Sequence, residues 1–516
     1  MNNKNIFILD TTLRDGEQTE GVSFSAEEKL ILAQKLLLDV GVNRLEIASA
    51  KVSVAEQESC KKITAWAKKH DLLDKVEVLG FVDFNKSVDW INGCGAKVLN
   101  LLCKGSEKHL LQLKKTPEEH FADIKKTFDY AKSKGFTVNA YLEDFSNGML
   151  NSTEYVFSLV SFLRDNGFNR VMLADTLGVL SPDLAKKFVS SLVSEFPDVG
   201  FDFHAHNDYG LALANSLAAV SSGATCVHCT VNGLGERAGN TPLEEFVPAL
   251  KDFFDVSASI NESALSSVSK LVELFSRYRV ARNKPIVGTV VFTQTAGIHA
   301  DGDKKGSLYI SKLSPDRFGR KTRYALGKLS GKASVEMALR DLGISLDDDL
   351  LKKVLGKVVE LGEKKENVTK EDLLFLIDEV ANVGQAKIFS IDYYNVVSSS
   401  SEKPFAGVIF SFKGKKFSVN GVGDGGYDAF MNALKEWFSL QKFALPKLVD
   451  YEVRIPSGGQ TDALVETKIV WDFSGRLVET VALSTDQLEA AIRATEKMVN
   501  LLFIIHKRGH RTSKKK

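Results

Sequence analysis

Asp10-Thr11-Thr12-Leu13-Arg14-Asp15-Gly16-Glu17-Gln18 follows a short apolar run, Ile6 to Leu9, that reads as a buried strand. Beyond it Ser25 and Glu28 spell a capping box, the signature of a helix start. Three acids, an arginine and a glycine therefore sit where a first strand ends and its loop begins. In parallel α/β proteins, chemistry collects at the carboxyl ends of strands, where loops vary on a rigid scaffold. Taken alone, the stretch is equally a solvated loop after an edge strand. The chain around it has to decide.

Outward from this stretch, strands and helices alternate. Strands are expected at Arg44–Ile47, Val76–Phe81, Lys97–Leu102, Thr137–Leu142, Val171–Ala174, Val199–Phe203 and Thr225–Thr230. Helical patterns fall between them, among them Ala26 to Asp39, Ser53 to Lys69 and Tyr209 to Ser221. Thr116-Pro117-Glu118-Glu119 and Ser181-Pro182 are helix starts with proline in the first turn. Eight βα units in one run predict a closed (β/α)8 barrel of the TIM type, with an open doubly wound sheet as the alternative. Residues 256–385 are mostly helical in pattern, broken by the polar, glycine-containing stretch Gly297–Gly306, and read as a linker region. From 386 a period of two returns, and a β-β-β-α order occurs twice. The expected class is thus α/β, with domains at 1–255 (barrel), 256–385 (helical linker) and 386–506 (α+β, regulatory), then a basic tail at 507–516.

Composition excludes several classes. A formal net charge of +1 over 516 residues offers no electrostatic reason for nucleic acid or membrane binding. No apolar run reaches the roughly eighteen residues of a membrane span. The N-terminus does not read as a signal peptide, and five cysteines without framework spacing fit reduced thiols in a cytoplasm. Cys226 and Cys229 form a Cys-x-x-Cys, but residues three apart on a strand face opposite sides and a zinc ribbon needs a second pair.

Three constellations carry chemistry. His204 and His206, two apart at the end of the seventh strand, point the same way. With Asp15 at the same barrel mouth they offer a carboxylate and two imidazoles, a set that suits Mn2+, Zn2+ or Mg2+ with coordination positions left open. The loop Asn232-Gly233-Leu234-Gly235-Glu236-Arg237-Ala238-Gly239-Asn240 allows close backbone approach to a ligand, and Asn240 is a fourth candidate metal ligand.

These segments resemble the isopropylmalate, homocitrate and citramalate synthases. Leu13-Arg14-Asp15-Gly16-Glu17-Gln18 with Lys29 looks like their first signature, His204-Ala205-His206-Asn207-Asp208-Tyr209-Gly210 their second, and Asn232–Asn240 a third shared segment. The resemblance runs through the linker into Gly423-Asp424-Gly425-Gly426-Tyr427-Asp428-Ala429. It implies a divalent metal, acetyl-CoA, a 2-oxo acid and a homodimer. A Claisen-type condensation needs a polarised carbonyl, a fixed positive charge for the developing alkoxide and a base for the acetyl methyl. Arg14 is the expected cation, and Glu143 the residue that orients substrate or takes part in proton transfer. His299 and Tyr309 match linker residues that, by the resemblance, reach the site from the partner subunit. Thr176 and Asp301 are further candidate substrate contacts.

Pocket size bears on the 2-oxo acid. Leu79 and Phe81 end the third strand, Leu102 lies on the fourth, and Tyr141 ends the fifth. Pointing inward, Leu79, Leu102 and Tyr141 make a small apolar pocket that fits the methyl of pyruvate and crowds an isopropyl group. Each methylene is worth about 1–3 kcal/mol of discrimination. The pattern is closest to citramalate synthesis, with isopropylmalate synthesis and acyl-CoA lysis as rivals. In the C-terminal region, Gly421-x-Gly423-x-x-Gly426 spells a dinucleotide fingerprint without the βαβ unit it requires. Free N–H groups at that helix start suit an effector carboxylate instead. The resemblance implies feedback by a branched-chain amino acid, here isoleucine, with Tyr427, Asp428, Leu448, Tyr451 and Ile455 as candidate walls.

Overall fold

The computed structural model describes residues 6–254, 260–294, 311–341, 344, 346–363, 368, 372–380, 388–441, 443–455, 465–473 and 475–512. Two compact units emerge, Met1–Phe292 with Ser311–Lys321, and Thr293–Ile310 with Thr322–Lys516.

Eight parallel strands close the first unit into a barrel: β1 (Phe7–Asp10), β2 (Arg44–Ser49), β3 (Val76–Phe81), β4 (Val98–Lys104), β5 (Thr137–Glu143), β6 (Val171–Asp175), β7 (Phe201–Ala205) and β8 (Cys226–Cys229). Closure is direct, since β1 pairs with both β2 and β8. The open-sheet alternative is therefore excluded. Helices α1 (Ala26–Gln34), α2 (Val54–Lys69), α3 (Lys86–Gly93), α4 (Glu107–Leu113), α5 (Pro117–Ser133), α6 (Phe145–Asn151), α7 (Thr153–Asp165), α8 (Pro182–Glu195), α9 (Ala212–Ser221) and α10 (Leu243–Phe254) follow in order, with α11 (Leu265–Ser276) after them.

Local chemistry explains most boundaries. At α1 the Ser25 hydroxyl accepts from Glu28 N at 3.3 Å, and the Glu28 carboxylate accepts from Ser25 N at 2.7 Å. The same reciprocal pair opens α5 through Thr116 and Glu119. Beyond α1 the chain continues through a π-turn, Lys35–Val40, and stops at Gly41, whose φ of 81° ends the helix. The helix expected from Tyr209 starts at Ala212, because Gly210 takes a φ of 71° and keeps the preceding loop open. Helices α4 and α6 were not expected: seven residues each is too short for a helical period to show.

Two cores form around the barrel wall. Outward-facing strand residues pack with the helices, while inward-facing Leu9, Leu79, Tyr141, Met172, Ala174 and Cys226 make a separate cluster with Leu102. Cys226 thus faces the interior and Cys229 the helical layer, as strand geometry requires. All five cysteines are free.

The second unit begins with β9 (Thr293–Gln294) and β10 (Arg323–Tyr324), followed by α12 (Lys332–Asp341), α13 (Asp348–Glu363) and α14 (Asp372–Val380), which share a core. Two antiparallel sheets come next. One has β11 (Phe389–Val397), β12 (Phe405–Phe412) and β13 (Lys415–Val422), then α15 (Gly426–Leu440). The other has β14 (Lys447–Arg454), β15 (Val465–Phe473) and β16 (Arg476–Ser484), then α16 (Gln487–Thr512), a helix that runs on into the stretch read as a basic tail. The two β-β-β-α repeats share one core, in which Trp471 is fully buried. None of the described helices is long and apolar enough to cross a membrane.

Candidate active site

The loop after β1 is a tight turn. Arg14, Asp15 and Gly16 all donate their N–H to Thr11 O, at 3.1, 2.8 and 3.1 Å. Lys29, fully buried on α1, reinforces it: its Nζ donates to Leu13 O at 3.1 Å and pairs with Glu17 at 2.6 Å and Glu56 at 2.7 Å. With the Ile47 carbonyl of β2 also 3.5 Å away, this buried ammonium fixes the loop to the barrel wall. Arg14 and Asp15 are thereby aimed across the mouth.

The Arg14 guanidinium donates to Glu46 at 2.5 Å and to the Tyr141 hydroxyl at 3.1 Å, and it lies 3.3 Å from Asp15. Asp15 Oδ2 lies 3.1 Å from His204 Nε2 and 3.8 Å from His206 Nε2. The two Nε2 atoms are 3.3 Å apart. Asp15, His204 and His206 each turn one ligand atom to the others within 4.8 Å. Burial alone would push the Asp15 carboxyl up, yet the Arg14 charge, with His204 close by, holds it well below the usual carboxylate range. Burial lowers His204, and lowers His206 to about 4, so both imidazoles are neutral at pH 7. Both carboxylate oxygens of Asp15 are buried with no hydrogen-bond donor. Asn240, bridged to His206 through the backbone, leaves its Oδ1 buried without a donor as well. An ionised carboxylate, two neutral imidazoles and an orphaned amide oxygen fit a divalent cation.

A cavity of about 190 Å³ opens beside this group. It is lined by Arg14, Leu79, Phe81, Leu102, Tyr141, Glu143, Thr176, His204 and His206, all expected from the sequence. Gln18, Ser49, Ala174 and Glu236 also line it and were not expected in that place. Leu79, Leu102 and Tyr141 belong to one apolar cluster, so the wall they form is continuous. Glu143 is ion-paired with Lys104. Thr176 accepts from Asp144 N at 2.8 Å. Its carbonyl accepts from Arg237, which also grips Asp208 at 2.8 Å and so ties three loops together. His299, Asp301 and Tyr309 lie outside the described residues.

Glu46 is the main residue that sequence reasoning missed. It is fully buried, holds Arg14, and accepts from Asn100 at 2.7 Å. Asn139 donates to Asn100 at 2.7 Å, and Arg170 donates to both oxygens of Glu77 at 2.8 and 2.9 Å. A visible signal existed: polar residues at alternate positions inside apolar strands, Glu46, Glu77, Asn100, Asn139, Asp202 and His228. Asp202, Cys226 and His228 form a second cluster of ligand type. There the Arg170 cation already lies 3.5 Å from Asp202, and burial pushes the Cys226 thiol well up, so the charge is met without a metal.

In the second unit, the Tyr427 and Tyr451 rings lie 5.3 Å apart, tilted at 45° to one another, and Tyr427 shares a 2.6 Å hydrogen bond with Thr495. Leu448 and Ile455 are exposed. Asp428 accepts from Asp424 N at 3.0 Å, placing its own carboxylate beside the helix start.

Burial also holds His120 on α5 down to about 4 against a normal 6.5. The unfolded chain takes up its proton near 6.5, the folded chain near 4, so stability rises with pH between these values and is lost as pH falls through them. His120→Gln is expected to reduce that slope, by at most about 1.4 kcal/mol per pH unit. Urea midpoints at pH 4.5, 5.5 and 6.5 check this; an unchanged slope refutes it.

The HMGL-like family model matches residues 5–272, the homocitrate synthase post-HMGL domain-like model 286–366, and the LeuA allosteric (dimerisation) domain model 367–503. The (R)-citramalate synthase CimA of Methanocaldococcus jannaschii is 34% identical over 96% of this chain and 99% of its own length. The 2-isopropylmalate synthase of the same organism is 33% identical over 96% of this chain and 94% of its own length. The chain belongs to the isopropylmalate, homocitrate and citramalate synthase family.

Proposed function

We propose that the protein is a citramalate synthase, condensing acetyl-CoA with pyruvate and water to give citramalate and CoA. One observation carries the reading: Leu79, Leu102 and Tyr141 wall the cavity directly beside Arg14, Asp15, His204 and His206. The space left suits a methyl group on the 2-oxo acid better than a branched one.

Each residue then has a task. Asp15, His204 and His206 would hold a divalent cation, with Asn240 as a weaker ligand; bound there, it would supply Lewis-acid polarisation of the 2-oxo acid. Arg14, locked by Glu46, is a fixed charge that stabilises the oxygen of the substrate carbonyl as it becomes an alkoxide. The acetyl methyl loses a proton, its carbon bonds to C2 of pyruvate, and the alkoxide is protonated. Water then cleaves the thioester, releasing CoA and a carboxylate. Glu143 orients substrate or takes part in the proton transfer, and its pairing with Lys104 keeps it at the rim. Thr176 and Asp301 are candidate substrate contacts, and by the family resemblance His299 and Tyr309 reach the site from the partner subunit of a homodimer. The effector is isoleucine, bound in the C-terminal unit near Tyr427 and Tyr451.

CoA release with Mn2+ from acetyl-CoA, comparing pyruvate, 2-oxobutyrate and 2-oxoisovalerate, tests the reading. Preference for pyruvate supports it. Preference for 2-oxoisovalerate sinks it and selects the isopropylmalate reading, which the second relative favours. Leu79→Ala is expected to lower the pyruvate to 2-oxobutyrate ratio of kcat/KM by about tenfold, since one methylene is worth about 1–3 kcal/mol. An unchanged ratio in that variant argues against Leu79 as a wall.

A further inference from the structure

Beneath the cavity lies a buried chain of side chains for which the condensation has no direct use. Tyr141 OH lies 2.9 Å from His228 Nδ1, and His228 Nε2 lies 3.3 Å from Asp202 Oδ2. Asp202 is steadied by Arg170, itself held by Glu77. His228 and Asp202 are at most 1% exposed and do not line the cavity, so neither touches substrate.

From this arrangement we infer that His228, oriented by Asp202, is a positioning residue that fixes Tyr141 as a wall of the cavity and thereby sets the size of 2-oxo acid accepted. The inference rests on the proposed 2-oxo acid chemistry and deepens it. Its physical basis is a proton count. A phenol has one proton to donate. Glu46 lies farther from the hydroxyl, at 3.3 Å, and already accepts from Arg14 and Asn100. His228 Nδ1 is the nearer acceptor, and it can accept only when the imidazole proton is on Nε2. Asp202 stands at Nε2 and selects that tautomer. The hydroxyl oxygen is then free to accept from Arg14 Nη2 at 3.1 Å. Both ends of the hydroxyl are thus committed. The ring stands edge-on to His204 and His228, with centres 5.9 and 5.4 Å away, and lies across the cavity beside Leu79 and Leu102. Loss of the tether frees the ring from this fixed orientation, and a ring free to move no longer holds the wall that limits the substrate.

The test measures kcat/KM for pyruvate, 2-oxobutyrate and 2-oxoisovalerate in wild type, His228→Leu, His228→Asn, Tyr141→Phe and the His228→Leu/Tyr141→Phe double variant. His228→Leu is expected to lower the pyruvate to 2-oxobutyrate ratio by about tenfold, the scale of one methylene. Tyr141→Phe keeps the ring, removes the same tether and is expected to do likewise. The double variant falls no further, because both changes cut one link. His228→Asn keeps an acceptor oxygen near the Nδ1 position and restores the ratio. An unchanged ratio in His228→Leu with kcat lowered equally for all three acids, or fully additive effects in the double variant, overturns the inference. Should His228→Leu fail to fold, an unchanged ratio in Tyr141→Phe does so alone. The wild-type preference separately decides the substrate reading. If a larger acid is preferred, the ratio of that acid to its next homologue scores the variants.

Discussion

His206→Ala is expected to abolish cation binding in the micromolar range and to lower kcat/KM by at least about a thousandfold. Lewis-acid assistance is worth several kcal/mol, and about 4 kcal/mol corresponds to a factor near a thousand. The reason lies in how the three candidate ligands are placed. His204 and His206 are two apart on and just after β7, so both project into the mouth, and Asp15 meets them from the loop after β1. Removing one imidazole leaves two of the three candidate donors. Titration with Mn2+, followed by the electron paramagnetic resonance of the free ion, reads binding without reference to turnover. The barrel should remain folded, because His206 lies at its rim and its ring closes no core layer. Retained Mn2+ affinity in this variant would contradict the assignment of Asp15, His204 and His206 as the metal site.

Glu77→Ala is expected to cost about 3–5 kcal/mol of stability, the range seen when one partner of a buried ion pair is removed. Glu77 is 1% exposed and accepts two hydrogen bonds from Arg170, with Arg44 3.8 Å away. Asp202, 3.5 Å from Arg170, offers a more distant and less well-shaped partner. The variant therefore leaves a desolvated guanidinium poorly met in the barrel interior. Urea unfolding at pH 7 measures the loss, and a change below about 1 kcal/mol would show that Asp202 alone satisfies Arg170. Replacing both Glu77 and Arg170 with apolar residues of similar volume should recover part of the loss, since the desolvation cost disappears with the charges.

Much of the fold was legible because its two periods are local. Apolar runs of strand length separated by helical patterns, with capping boxes at Ser25 and Thr116, define βα units from neighbours a few residues apart. Eight such units have few ways to bury both faces of their strands, and barrel closure is one of them. The candidate metal residues were legible for the same reason. Asp15, His204 and His206 sit at strand ends, and ends of parallel strands share one mouth. Glu143, Leu79, Leu102 and Tyr141 were expected at strand ends, with their inward direction supposed, and the closed barrel turns them to the cavity.

What the sequence by itself determined is therefore which residues face the barrel interior and at which end they lie. Which of them touch was decided by tertiary structure alone. Tyr141 meets Glu46 across 95 residues of chain and His228 across 87. Those contacts depend on the tilt and stagger of the strands, a property of the closed sheet as a whole that no local pattern records. The same holds for Glu46, whose position in β2 reads as one acid in an apolar strand. In the barrel it becomes the anchor of Arg14, because closure brings β1, β2, β4 and β5 around a single dry centre where every charge must find a partner.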